Sequence, residues 1–162
     1  MTHDDSNNKK ARRYAFALER TNKAIKAGYY LEAITLCESM ISDRLLSSLA
    51  RREKRIIRKN QGLGRLIEEH RSDRSLDKSS TANDETVSDI FVALGEWKKE
   101  RNELLHGFAK CVPGDEICDP VELMERAKDA ADEGLHLFRL LDNWHRKHTR
   151  NQGRPDDFDA AA

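Results

Sequence analysis

The stretch "DPVELMERAKDAADEGLHLFRLL", residues 119–141, decides the fold. Asp119 stands one residue before Pro120, and Glu122 follows the aspartate by three. An aspartate before a helix accepts a hydrogen bond from a free backbone N–H, and proline at the first helical position has no N–H to leave unpaired. A glutamate three residues on completes a capping-box-like start. Beyond it Met124, Ala127, Ala131, Leu135, Phe138 and Leu141 recur at intervals of three or four, one apolar stripe on a helix. The spacing predicts a long amphipathic helix that opens at Asp119.

The same period is found upstream. A helix over about Glu85 to Phe108 carries Val87, Ile90, Leu94, Trp97, Leu104 and Phe108 on one face, with Arg101 in phase among them. Arg12 to Ala27 offers Tyr14, Leu18, Thr21 and Ile25, with Gly28 as its stop. From Tyr29 the inward face reads Tyr30, Ile34, Cys37, Ile41, Leu45 and Leu49, and the helix continues into the charged run "RREKRIIRK", residues 51–59. "LGRLIEEH", residues 63–70, predicts a short helix. Residues 71–84 have no apolar period and many turn formers, the pattern of a surface loop. Nothing alternates with the period of a strand. The expectation is all-α: an up-and-down four-helix bundle with an additional short helix, because antiparallel neighbours need little connecting chain. One domain is expected over 11–148, between disordered tails at 1–10 and 149–162.

Composition agrees with amphipathic helices. The 162 residues are 38% hydrophobic and 36% charged, with zero formal net charge. Residues 1–60 hold 14 basic against 7 acidic side chains, whereas 61–162 hold 15 against 22. Helix surfaces that neutralise one another explain that split, and the basic half also offers a place for phosphates. Three cysteines, Cys37, Cys111 and Cys118, form no Cys-x-x-Cys pair, and a reducing cytoplasm is the default compartment. No window has the eighteen or so apolar residues of a membrane span.

Familiar chemical signatures are weak. "GLG" at 62–64 lacks the remainder of a phosphate loop. His145 and His148 lie three apart beside Trp144, Arg146 and Lys147, which reads as a solvated helix end before a metal pair. His106, Cys111 and Cys118 match no common zinc spacing, and Glu103 with His106 supplies one Glu-x-x-His where a di-iron bundle needs two. No metal and no cofactor is expected.

"RNELLHG", residues 101–107, is more specific in its setting. Arg101, a polar Asn102, and His106 after a gap of four, late in an all-helical chain, resemble the signature of the HEPN superfamily. "YYLEAITLCESMISDRL", Tyr29 to Leu45, is similar to an early helix of many such proteins, so the resemblance extends over residues 12–146. It implies a helical-bundle endoribonuclease that needs no metal, often a toxin or antiviral defence factor, with a site built between two protomers. Arg101, His106 and Asn102 would be its catalytic residues, and Lys98, Lys99 and Lys110 would hold neighbouring phosphates. An antitoxin or a defence complex is the implied partner. Family toxins silenced by a nucleotidyltransferase carry a tyrosine two residues after the histidine. Phe108 stands there in this chain, so that modification has no acceptor. A non-catalytic module that binds RNA or a nucleotide is the alternative.

The residue types suit the chemistry. An imidazole can take a proton from a ribose 2′-hydroxyl or give one to the departing 5′-oxygen. A guanidinium keeps its charge and grips phosphate through two N–H groups. Helical geometry adds a constraint. Five residues separate Arg101 from His106 by roughly 140° around the axis, so one straight helix aims them apart. Either the helix distorts near Gly107, or two copies of it meet across a two-fold axis. In a structural role Arg101 would instead pair with an acid from another helix, such as Glu38 or Asp43.

Overall fold

The computed structural model describes residues 3–53, 61–72, 85–108 and 119–151. Its elements are α1 (His3–Lys26), α2 (Tyr30–Glu53), α3 (Leu63–Arg71), α4 (Glu85–Gly107) and α5 (Pro120–Asn151). Among the described residues the chain is wholly helical, and no helix is long and apolar enough to cross a membrane. α1 is described from His3, inside the segment read as an N-terminal tail, and α5 runs to Asn151, three residues past the expected boundary at 148. Arg71, expected to open a loop over 71–84, is instead the last residue of α3; residues 73–84 and most of the 51–59 run lie outside the described residues, as do Cys111 and Cys118.

The predicted punctuation holds where it can be inspected. Gly28 adopts φ 78°, its N–H reaches the carbonyl of Ile25 at 3.1 Å, and the next N–H, of Tyr29, reaches Ala24 at 2.8 Å. Paired bonds of this kind close a helix on a left-handed residue, a conformation glycine adopts without a steric penalty. At the start of α5 the Asp119 carboxylate accepts the Val121 N–H at 2.7 Å, which is the predicted cap.

α2 packs against α1, α3 and α5, and α4 packs against α3 and α5. The contacts fix direction. Arg20 meets Glu32 while Lys10 meets Ser47, so α1 and α2 are antiparallel; Trp97 meets Ala130 while Glu100 meets Arg126, so α4 and α5 are too. α3 also runs against α4, with His70 stacked on Phe91 and Gly64 beside Lys98. The core draws on every described helix: Ala24, Ile34, Ile41, Leu45, Leu66, Leu94, Leu104, Phe138 and Leu141 are all buried. Burying each of the larger apolar side chains favours the fold by about 1.5–3 kcal/mol. Cys37 belongs to this core, and burial pushes its thiol up to about 12.

The Trp97 ring of α4 packs onto Gly134 of α5, where a Cβ would lie 2.6 Å from the ring. The indole Nε1 there donates to the Ala130 carbonyl at 2.7 Å. Three expectations need correction. Met124 and Phe108 are exposed, while Leu123 and Phe91 take the core positions; His145 is buried, not solvated. α5 touches α1, α2 and α4, so its buried arc is wider than a single stripe and extends to Leu123, Leu137, Trp144 and His145.

Candidate functional site

Arg101 sits about one turn of α4 beyond Lys98, where the N-terminal end of α3 passes. The Arg101 guanidinium ion-pairs through Nη2 with Glu38 of α2. Its Nη1 donates to the Asn102 side-chain oxygen, and its Nε is buried without a hydrogen-bond partner. Only 17% of the Arg101 side chain is exposed, against 24% for Glu38. Burial disfavours the charged form and lowers the guanidinium pKa from its ordinary value. The chain therefore holds a cation where its register called for an apolar residue, and supplies an acid from a second helix to keep it charged.

His106 is in a different setting. It is exposed in the last turn of α4, and the helix stays regular around it: α4 runs through Gly107, and the Phe108 N–H still bonds to the Leu104 carbonyl at 3.1 Å. The distortion that would turn His106 toward Arg101 is not there. Within one protomer the structure brings Arg101 and Asn102 together and leaves His106 on another side of the helix. Nearby, Gly107 packs toward Leu123; Phe108 just past α4 and Val121 and Met124 in the first turns of α5 are exposed.

The lysines expected near the motif are dispersed. Lys99 pairs with Glu96 at 2.8 Å on the exposed face, the Lys98 stem lies along α3 at Gly64, and Lys110 lies outside the described residues. Lys99 faces a groove between α4 and α5 of about 580 Å³, walled by Glu100, Glu103, Asp129 and Glu133. Arg126 answers two of these acids, at 2.9 Å from Glu100 and 3.2 Å from Glu103. That surface repels phosphate. Among the described residues no group of three or more His, Cys, Asp or Glu gathers as a metal site would.

No family model, curated protein or solved structure matches this chain. The site rests on its own geometry.

A second half-buried arginine went unnoticed in the sequence. Arg44 of α2 pairs with Asp142 of α5 at 2.6 Å and lies 4.1 Å from the centre of the Tyr14 ring. Tyr14 donates its hydroxyl to Asp43 and stacks on Phe138 at 5.9 Å. Burial, with the hydrogen bond to Asp43 added, raises the Tyr14 pKa well above its ordinary value. Burial alone would raise Asp43, but the Tyr14 hydroxyl and Lys10 outweigh it and hold that carboxyl below the usual range. The signal in the sequence was present but indirect: an arginine beside the apolar stripe of α2 needs a counter-charge from another helix.

Proposed function

We propose that the chain is a metal-independent endoribonuclease of HEPN type, acting in the cytoplasm as a toxin or antiviral defence factor. Its long helices α1, α2, α4 and α5 form an up-and-down four-helix bundle to which α3 is added. One observation carries the reading: a half-buried Arg101, fixed by Glu38 and Asn102, precedes an exposed His106 on a helix that remains regular. A regular helix aims the two side chains roughly 140° apart. A single protomer thus cannot place both on one phosphate, and two antiparallel copies of α4 can. Phe108, two residues after His106, and Val121 and Met124 at the start of α5 are exposed and leave apolar surface for such a homodimer.

In that dimer His106 takes the proton of the ribose 2′-hydroxyl or delivers one to the leaving 5′-oxygen. Arg101 meets the charge that builds on the phosphoryl oxygens, and Asn102 keeps its fork oriented. The bond formed is 2′-oxygen to phosphorus and the bond broken is phosphorus to 5′-oxygen. The products are a 2′,3′-cyclic phosphate and a 5′-hydroxyl. DNA has no 2′-hydroxyl and should be inert.

The Arg101–Glu38 ion pair also favours a second reading, a non-catalytic helical module in which Arg101 joins α2 to α4. Incubating the protein with total RNA in excess EDTA separates the two. The first reading expects strand scission with cyclic-phosphate ends, a dimer in solution, and a loss of about a hundredfold to ten-thousandfold in His106→Ala with helicity intact. Full activity in that variant, or an active monomer, would remove it.

A further inference from the structure

We propose that the outer face of α1 is the surface that holds single-stranded RNA. From Lys9 to Lys26 the helix carries seven Lys or Arg and one acid, Glu19. On a helical projection Lys9, Arg12, Arg13, Phe16 and Arg20 share an arc of about 100°, opposite the inward Tyr14, Leu18, Thr21 and Ile25. Phe16 lies within that cationic arc and is 71% exposed, although the aromatic ring would be worth a core position elsewhere. Glu19 is occupied by Lys23 at 2.6 Å, and Arg20 by Glu32 at 2.7 Å. Arg12 and Arg13 have no acidic partner among the described residues. Their charge is uncommitted.

An exposed ring with cations three and four residues before it is what an unpaired base and its flanking phosphates require: the base stacks on the ring and the phosphates meet the guanidinium groups. Beside the arc, a cleft of about 400 Å³ between α1 and α2 is lined by Lys9, Lys10 and Arg13 of α1 and by Leu36, Ser39, Met40 and Asp43 of α2, with Lys10 paired to Asp43 at 3.0 Å. Its Leu36 and Met40 side offers an adjacent base a partly apolar recess. A membrane surface fits less well. An interfacial helix buries a continuous apolar face, and the apolar face of α1 is turned into the core, leaving Phe16 alone outside. The lysines beside Arg101 do not compete for the role, because Lys99 is paired and borders an acidic groove.

The choice of RNA as ligand rests on the proposed ribonuclease activity, and the test keeps the two apart. The probe is a fluorescein-labelled uridine 12-mer, titrated by anisotropy against full-length His106→Ala, with helicity monitored in every variant. Arg12→Ala/Arg13→Ala should weaken binding at least tenfold and reduce the salt slope by about 1.4, the value for two lost phosphate contacts on a single strand. Phe16→Ala should weaken it by about tenfold with the slope unchanged. Binding unaltered in both variants overturns the α1 surface while leaving cleavage untouched. Binding that depends on α1, in a protein that never cuts RNA, upholds the surface and removes the nuclease. Anionic phosphatidylserine vesicles bound in preference to the RNA would also overturn the proposal.

Discussion

Arg44 and Arg101 both bridge helices from half-buried positions, and they are built differently. Arg44 is enclosed: an aromatic ring covers its guanidinium at 4.1 Å, Asp142 pairs with it at 2.6 Å, and Arg146 holds the other oxygen of that aspartate at 2.8 Å. Arg101 has one acid and the amide of its own neighbour. Exposure is similar, 15% for Arg44 and 17% for Arg101. The difference is in their partners: Arg44 has an aromatic face and an aspartate shared with a second arginine, whereas Arg101 has a single carboxylate and an amide, with a histidine further along its helix.

The contrast predicts unequal costs. Arg44→Ala leaves Asp142, which is 12% exposed, with Arg146 as its remaining cation and uncovers the Tyr14 ring, and should destabilise the fold by about 3 kcal/mol in urea unfolding, the low end of the scale for breaking a buried pair. Glu38→Ala should cost less, about 1–2 kcal/mol, because Arg101 keeps its hydrogen bond to Asn102 and Glu38, 24% exposed, is less desolvated than Asp142. If the order is reversed, Arg101 is the structural bridge and the comparison fails. Tyr14→Phe is the smallest perturbation at neutral pH, about 1 kcal/mol for one hydrogen bond. It also sharpens the pH dependence. The folded Tyr14 pKa is raised, so its contribution is complete below about pH 10, the ordinary phenol value, and is lost as pH rises beyond it. The variant should lack that alkaline loss. Thermal melts from pH 8 to 11 would show a parallel decline in both proteins if Tyr14 were not responsible.

The sequence made α2 legible almost residue by residue, since Ile34, Cys37, Ile41, Leu45 and Leu49 are all buried as their spacing predicts. Gly28 and Asp119 were legible for a local reason: a left-handed backbone and a free N–H are answered within a few residues. Met124 and Phe108 were misassigned because a helix wedged among several neighbours buries a broad arc whose edges a single stripe cannot locate. The candidate site was legible in part. Arg101 was conspicuous as a charge in an apolar register, and Glu38 was one of two acids named for it. Arg44 with Asp142 was not foreseen. A pair 98 residues apart depends on the rotation and register of two helices, which no local pattern encodes.

The central claim is that Arg101 works on a phosphate as well as on Glu38. Arg101→Lys separates these roles, because an ammonium can keep the ion pair but cannot present a planar fork. The measurement is the rate of RNA cleavage in EDTA by Arg101→Lys and wild type, at a temperature where both are fully folded. The account predicts a variant within about 1 kcal/mol of wild-type stability whose cleavage falls at least tenfold. Equal cleavage by the two proteins, or no cleavage by wild type, would contradict it.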